Sequence, residues 1–189
     1  MNRPLPSEYH PFYSGYIQLV PDGNFLQLLK ANTLHVNSFF SSIRREKHDF
    51  RYQADKWTVK QILLHLIDTE RVMSYRALTV SRGDKFSQLP NMDENLFASN
   101  ANVTGRGMED LLNEFMVVRD ATSLLFGYMN EAQSLFTGNV LNHTITPRAI
   151  GFIIIGHTEH HMNIIRQKYL WPGLKDNIKT SSLALHLEL

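Results

Sequence analysis

The chain has no cysteine among its 189 residues. That excludes disulfides, thiolate metal ligands and a cysteine nucleophile, so any bound metal must be held by nitrogen and oxygen. It also lacks a run of about 18 apolar residues of the kind that crosses a membrane. Its N-terminus, with Pro4, Pro6, Glu8 and His10, does not show the charged-then-apolar pattern of a secretory signal. Excess charge of one sign is missing too: 19 lysines and arginines against 18 acidic residues give a formal net charge of +1, and the basic residues are scattered. No electrostatic footprint for nucleic acid results. A soluble, cytoplasmic protein with no nucleic-acid and no membrane partner is the expectation. No internal repeat, low-complexity tract or strand pattern is evident.

What is present is enough apolar material, 43% of residues, for one domain with a real core. A single domain over residues 1–189 is expected. Residues 1–21 carry Pro4, Pro6, Pro11 and Pro21 with several aromatics, which suits an ordered arm wrapped on the surface rather than a helix. Residues 172–189 are expected to form a C-terminal tail. Helix one is expected from Asp22 to Arg45, and helix two from Thr58 to Arg82, stopping at Gly83. Thr58 and Gln61 stand in capping-box spacing at the start of helix two. The stretch from Gly83 to Gly107 holds Pro90, several asparagines and few apolar residues, and is longer than the usual helix connection. Helix three is expected from Met108 to Asn130. Helix four opens at Thr146 as N-cap with Pro147 at its first position and stops by Trp171-Pro172-Gly173. The class is all-α, a four-helix bundle. The long link acts as a crossover that lets helices two and three run parallel and sets helix four antiparallel to helix two.

The chemistry concentrates in histidines. His157 and His161 lie one turn apart in the most apolar stretch of the chain, on a stripe with Ile150, Ile153, Ile154 and Ile164 that should face the core. With nine histidines, a shuffled chain gives this spacing roughly 0.4 times, so the pair alone is weak. His65, about two turns into helix two, strengthens it. On a 1.5 Å rise it sits about 10 Å from the start of its helix, with His161 and His157 about 13 and 20 Å from the end of helix four, so the three imidazoles can meet at one level. Three neutral histidines from two helices leave positions open for water or substrate, as a catalytic metal site requires. Zinc is the default, and nickel, cobalt or iron suit the same nitrogens. Gln61, Asp68 and Thr69 flank His65 on its stripe and are candidates to orient its ring, Asp68 first. His160 falls on the far side of His157 from the apolar stripe, and Glu159 points away from it, toward the surface or a dimer interface.

These residues also carry a resemblance. Trp57-Thr58-Val59 through His65, the Asp93-Glu94-Asn95 segment, Arg148-Ala149 and Gly156-His157-Thr158-Glu159-His160-His161 make the chain similar to the DinB/YfiT-like superfamily over roughly residues 12–171. The resemblance implies an up-down-down-up four-helix bundle, usually dimeric, with a metal held by one histidine of helix two and a His-x-x-x-His pair of helix four. Matched position by position, those ligands are His65, His157 and His161. Members include bacillithiol S-transferases, mycothiol-dependent isomerases and glutathione-linked enzymes, while others are described as metal-dependent hydrolases.

Two classes of function follow. The first is a metal-dependent enzyme that transfers a small thiol to an electrophile, with hydrolysis as its runner-up. In thiol transfer the metal lowers the thiol's pKa and presents a thiolate. The second is a non-catalytic stress or ligand-binding protein that keeps the metal as a structural pin. His143, Arg148, Arg119 and Tyr75 are candidates to shape a pocket, with structural roles favoured for each on general grounds. The resemblance, together with the aromatics Tyr9, Phe12, Tyr13 and Tyr16 of the arm, points to a homodimer.

Overall fold

Within the first 21 residues, expected to form an ordered arm without helix, residues 6–8 and 11–18 coil into helical turns. The computed structural model describes residues 1–170, and the expected tail over 172–189 and the Trp171-Pro172-Gly173 stop lie outside them. Pro6 and Pro11 each occupy the first position of a 3-10 turn, Pro6–Glu8 and Pro11–Tyr13, where a missing N–H costs nothing. A short helix α1 follows, Ser14–Gln18. Ile17 and Val20 are buried in the core, and Arg3 donates to the carbonyls of Ile17 (2.8 Å) and Val20 (2.5 Å). The Glu8 carboxylate accepts from Thr146 Oγ1 at 2.8 Å and from both Nε and Nη2 of Arg148. The arm is therefore clasped to the start of the last helix.

Helix α2 runs Phe25–Ser41, shorter at both ends than the sequence suggested. Asn24 begins it, its side chain accepting from the N–H groups of Leu26 and Gln27, so Asp22 and Gly23 stay outside. Helix α3, Val59–Ser81, starts at the expected capping box: Thr58 Oγ1 accepts from Gln61 N–H, and Gln61 Oε1 accepts from Thr58 N–H. The crossover holds strand β1 (Gln88–Leu89) and a helix α4 (Glu94–Asn100) capped by Asp93. Helix α5 spans Met108–Gly127 and is followed by one turn, α6 (Glu131–Ser134). Strands β2 (Gly138–Val140) and β3 (His143–Ile145) form a hairpin with Leu141 and Asn142 at positive φ, and β1 adds to β2 in parallel. This small sheet corrects the expectation of no strands, since two- and three-residue strands are too short for an alternation to register. Helix α7, Pro147–Ile164, is capped by Thr146 and continues into a π-helical turn, Ile165–Leu170.

Side-chain pairings fix the threading. Glu70 and Ser74 of α3 meet Arg119 and Thr122 of α5, so these two helices run parallel. Asn32 and His35 of α2 meet Glu159 and Arg166 of the last helix and its π turn, a second parallel pair. His65 meets His157 while Met73 and Ala77 pack in one cluster with Ile150 and Ile153, which makes α3 and α7 antiparallel. The bundle is up-down-down-up. Its interior splits into two apolar clusters, one around Phe25, Phe126, Phe152 and Ile153, the other around Phe40, Leu63, Phe115 and Ile165. Among the described residues no helix is long and apolar enough to cross a membrane.

Candidate metal centre

Two helices deliver three imidazoles to one buried point. The capping box of α3 fixes that helix's phase, and His65 sits two turns in, 5% exposed. On α7 the run Ile150 to Ile155 is buried on every side, and His157 and His161 continue it inward at 7% and 5% exposure. The Nε2 atoms of His65 and His157 are 3.1 Å apart, and those of His161 and His157 are 3.0 Å apart.

Those distances have a chemical meaning. The Nε2 of His157 carries either one proton or one in-plane lone pair, so it can satisfy one neighbouring ring nitrogen and not two. A cation that accepts a lone pair from all three removes the conflict. Metal–nitrogen bonds near 2.0–2.1 Å at angles between 90° and 109° put ligand nitrogens about 2.9–3.4 Å apart. The observed separations fall in that range, so the residues fit a divalent metal. Burial pushes all three imidazoles toward the neutral, ligating form: His65 is lowered to about 4, and His157 and His161 are lowered well below the usual value, by burial first and then by neighbouring histidines.

The surroundings are partly apolar. Trp57 lies over His65, ring centroids 4.7 Å apart, and stacks toward His161 at 6.5 Å. Its backbone carbonyl accepts from the Tyr169 hydroxyl at 2.7 Å, which pins the segment to the π turn. Tyr16 of α1 meets His157 and His160 edge-on at 5.4 and 5.2 Å. Beside the histidines opens a cavity of about 370 Å³ whose walls include His65, His157, Tyr16, Met73, Arg76 and Glu94. The phenol of Tyr16 is pushed up to about 12 by burial, then by Glu94 and Tyr13, and the Glu94 carboxyl is raised by burial and Asp93.

The residues expected to orient His65 do not do so. Its Nδ1 is buried with no hydrogen-bond partner among the described residues. Gln61 spends its carbonyl on the capping box, Asp68 pairs with Arg71 at 3.3 Å, and Thr69, although it lines the cavity, donates to Met92 Sδ. A helical residue three or four positions away shares a face with its neighbour but points along it, and these three found nearer partners. Glu159 is half-buried and held inside the chain: it accepts from Asn32 Nδ2 at 2.8 Å and pairs with His35 at 3.0 Å. Of the pocket candidates, none lines the cavity: Arg119 is fully buried on Glu70, Arg148 clasps Glu8, His143 stacks on His10 at 4.0 Å, and Tyr75 is 56% exposed. The cavity is lined instead by residues that include Tyr13 and Tyr16, expected at a dimer contact, and Arg76, to which the sequence reading gives no role. A signal existed for Arg76, which lies eleven residues beyond His65 and so within about 20° of it around α3.

Comparison with known proteins follows the same lines. The profile of the DinB superfamily matches residues 29–165. No curated protein matches the chain in sequence. Among solved structures, the fold is similar to YfiT from Bacillus subtilis, described as a probable metal-dependent hydrolase with an unusual four-helix bundle topology, at 16% identity over 91% of this chain and 94% of that one, TM-score 0.69. It is similar to the mycothiol-dependent maleylpyruvate isomerase at 12% identity, covering 74% of this chain and 58% of that one, TM-score 0.59. A DinB-like protein from Bacillus subtilis aligns at 12% identity over 82% and 95% of the two chains, TM-score 0.55. With the bundle threading, the three-histidine cluster and a profile match over more than half its length, the chain belongs to the DinB superfamily.

Proposed function

We propose that the protein is a metal-dependent enzyme that transfers a low-molecular-weight thiol to an electrophilic substrate, with a divalent metal, zinc by default, held by His65, His157 and His161. One observation carries this reading: the buried histidine cluster opens onto a cavity of about 370 Å³, and among the described residues no fourth His, Asp, Glu or Cys joins the cluster. A metal used only as a structural pin would be closed by a fourth donor. When bound, the metal supplies a Lewis-acid position at which a small thiol is held as thiolate near neutral pH.

The chain's own residues set the conditions for that chemistry. Burial keeps the three imidazoles neutral, with their lone pairs available. Trp57, Met73 and Ile153 limit water around them. The Tyr16 phenol, protonated up to a pH of about 12, can donate a hydrogen bond into the cavity without losing its proton. The likeness to an isomerase that depends on mycothiol supports a thiol as co-substrate. Hydrolysis is the second reading, favoured by Glu94, a carboxyl of raised pKa on the cavity wall that suits a general base for water. The enzyme is proposed to work as a homodimer. The support is an exposed apolar stripe of Tyr75 and Leu78 on α3, Val117 and Leu124 on α5 and Tyr128 at the cap of α5, and not the aromatics of the arm, since Tyr13 and Tyr16 face the cavity.

The test is conjugation of bacillithiol, mycothiol and glutathione in turn to a halonitrobenzene by metal-loaded protein. Metal-dependent acceleration with at least one thiol, lost in His65→Ala, is expected. If no thiol is used but an ester or amide panel is hydrolysed with the same metal dependence, hydrolysis replaces transfer. Silence in both panels with metal still bound overturns the enzyme reading.

A further inference from the structure

Two arginines are buried in this bundle, and they are treated differently. Arg119, fully buried, holds the Glu70 carboxylate through Nε at 2.7 Å and Nη2 at 2.8 Å. Arg76 is 2% exposed, and among the described residues no carboxylate pairs with it. Its Nη2 donates to the Pro90 carbonyl at 2.5 Å, its Nη1 reaches Met73 Sδ at 3.7 Å, and the Tyr13 phenol lies against it. Its Nε–H has no acceptor. A guanidinium stays charged at any ordinary pH, so a buried one with an idle donor and no counter-ion is a position waiting for an anion.

Its location says which anion and from where. Arg76 forms part of the wall of the cavity that His65 and His157 also line. Along α3 the two residues are eleven apart, about 16 Å by helix rise, and helical side chains lean toward the N-terminus, as the contact of Arg76 with Met73 shows. The guanidinium therefore stands on the order of 10 Å from the histidine nitrogens. Asp93 and Glu94 border the same cavity, which disfavours a dianion such as phosphate and leaves a singly charged carboxylate as the better match.

We propose that the cavity takes a ligand that bears a carboxylate, docked on Arg76 as Glu70 is docked on Arg119, while its other end lies at the three histidines. Arg76 is then a specificity-determining residue. It selects carboxylate-bearing thiols or substrates over neutral ones of the same length. The proposal deepens the thiol-transfer reading and rests on it for the identity of the far end only.

Three probes of one length separate the two ideas: 6-mercaptohexanoate, 6-mercaptohexanol and hexanoate, titrated calorimetrically into zinc-loaded protein. Mercaptohexanoate is expected to bind at least tenfold more tightly than mercaptohexanol. In Arg76→Gln that preference should vanish with the affinity for mercaptohexanol unchanged, and Arg76→Lys should restore part of it. Equal affinity of the wild type for the acid and the alcohol, or a preference that survives in Arg76→Gln, overturns the proposal. Hexanoate isolates the anchor from the thiol. If mercaptohexanol fails to bind, the thiol reading fails; hexanoate that still binds the wild type and not Arg76→Gln then upholds the anchor, and hexanoate that binds both alike or neither refutes it. Should Arg76→Gln not fold, hexanoate against hexanol on the wild type decides, a tenfold preference for the acid upholding the anchor and parity refuting it.

Discussion

The carbonyl oxygen of Tyr16 stands 2.0 Å from the place where a Cβ on Gly156 would be. Backbone of α1 thus crosses α7 one residue before His157, and only glycine permits the crossing. Because the obstacle is main chain, it cannot rotate away. Gly156→Ala is expected to lower unfolding free energy by about 2–3 kcal/mol, the upper part of the usual overpacking range. Chemical denaturation measures it, and limited proteolysis should show early cleavage within residues 1–21. An unchanged midpoint would mean that the arm does not lie against α7.

Metal binding should separate two adjacent histidines. The Nε2 of His161 lies 3.0 Å from that of His157, whereas His160 turns its ring to Tyr16. One divalent ion per chain is expected in protein purified without a metal-affinity tag. His65→Ala and His161→Ala should abolish it, and His160→Ala should largely spare it. Elemental analysis after incubation with zinc or nickel checks this; retention in His161→Ala with loss in His160→Ala would reverse the assignment.

The same histidines set a pH dependence in metal-free protein. In the unfolded chain an imidazole takes up a proton near pH 6.5, but in the fold His65 does so only near 4. Between those values the unfolded state binds more protons, so stability rises with pH across that window. The contribution is complete above pH 6.5 and fades as pH falls toward 4, by about 3 kcal/mol for His65 alone, and His157 and His161 act in the same direction. Urea unfolding at pH 7.5 and pH 4.5 should show the drop. Equal stability at the two values would contradict the burial of these rings as neutral groups.

Much of this was legible in the residues, and for physical reasons. The starts of α3 and α7 are written in side chains that bond to their own backbone, Thr58 with Gln61 and Thr146 with Pro147 behind it, so local chemistry alone locates them. The clustering of the three histidines is readable because helix periodicity and rise place His65 level with His157 and His161. What could not be read were partners distant in sequence. Glu159 finds Asn32 and His35 across the bundle, and Arg119 finds Glu70, neither of which a single helical wheel can arbitrate. The helical turns of the arm are not legible because proline reads as a helix breaker, whereas Pro6 and Pro11 open 3-10 turns. Arg76 escaped notice because its meaning lies in a counter-ion it lacks.

The exposed stripe on α3 and α5 carries the last expectation. Arg71 of α3 bonds Glu114 of α5 at 2.7 Å, which marks the outer groove between these parallel helices. One turn further along that side of α3 come Tyr75 and then Leu78, 56% and 41% exposed, with Val117 and Leu124 on α5 and Tyr128 at its C-terminal cap, at 70%, 60% and 87%. Large apolar side chains aligned on two adjacent helices exceed the scattered exposure of an ordinary surface, and a second copy of the chain would bury them. Light scattering should therefore give twice the chain mass of 21.8 kDa at micromolar concentration. Leu124→Glu together with Tyr128→Glu should give a folded monomer, since a carboxylate at the centre of an apolar interface costs more than the contact gains. A wild-type monomer, or a dimer indifferent to both charges, would show that this stripe is not the interface.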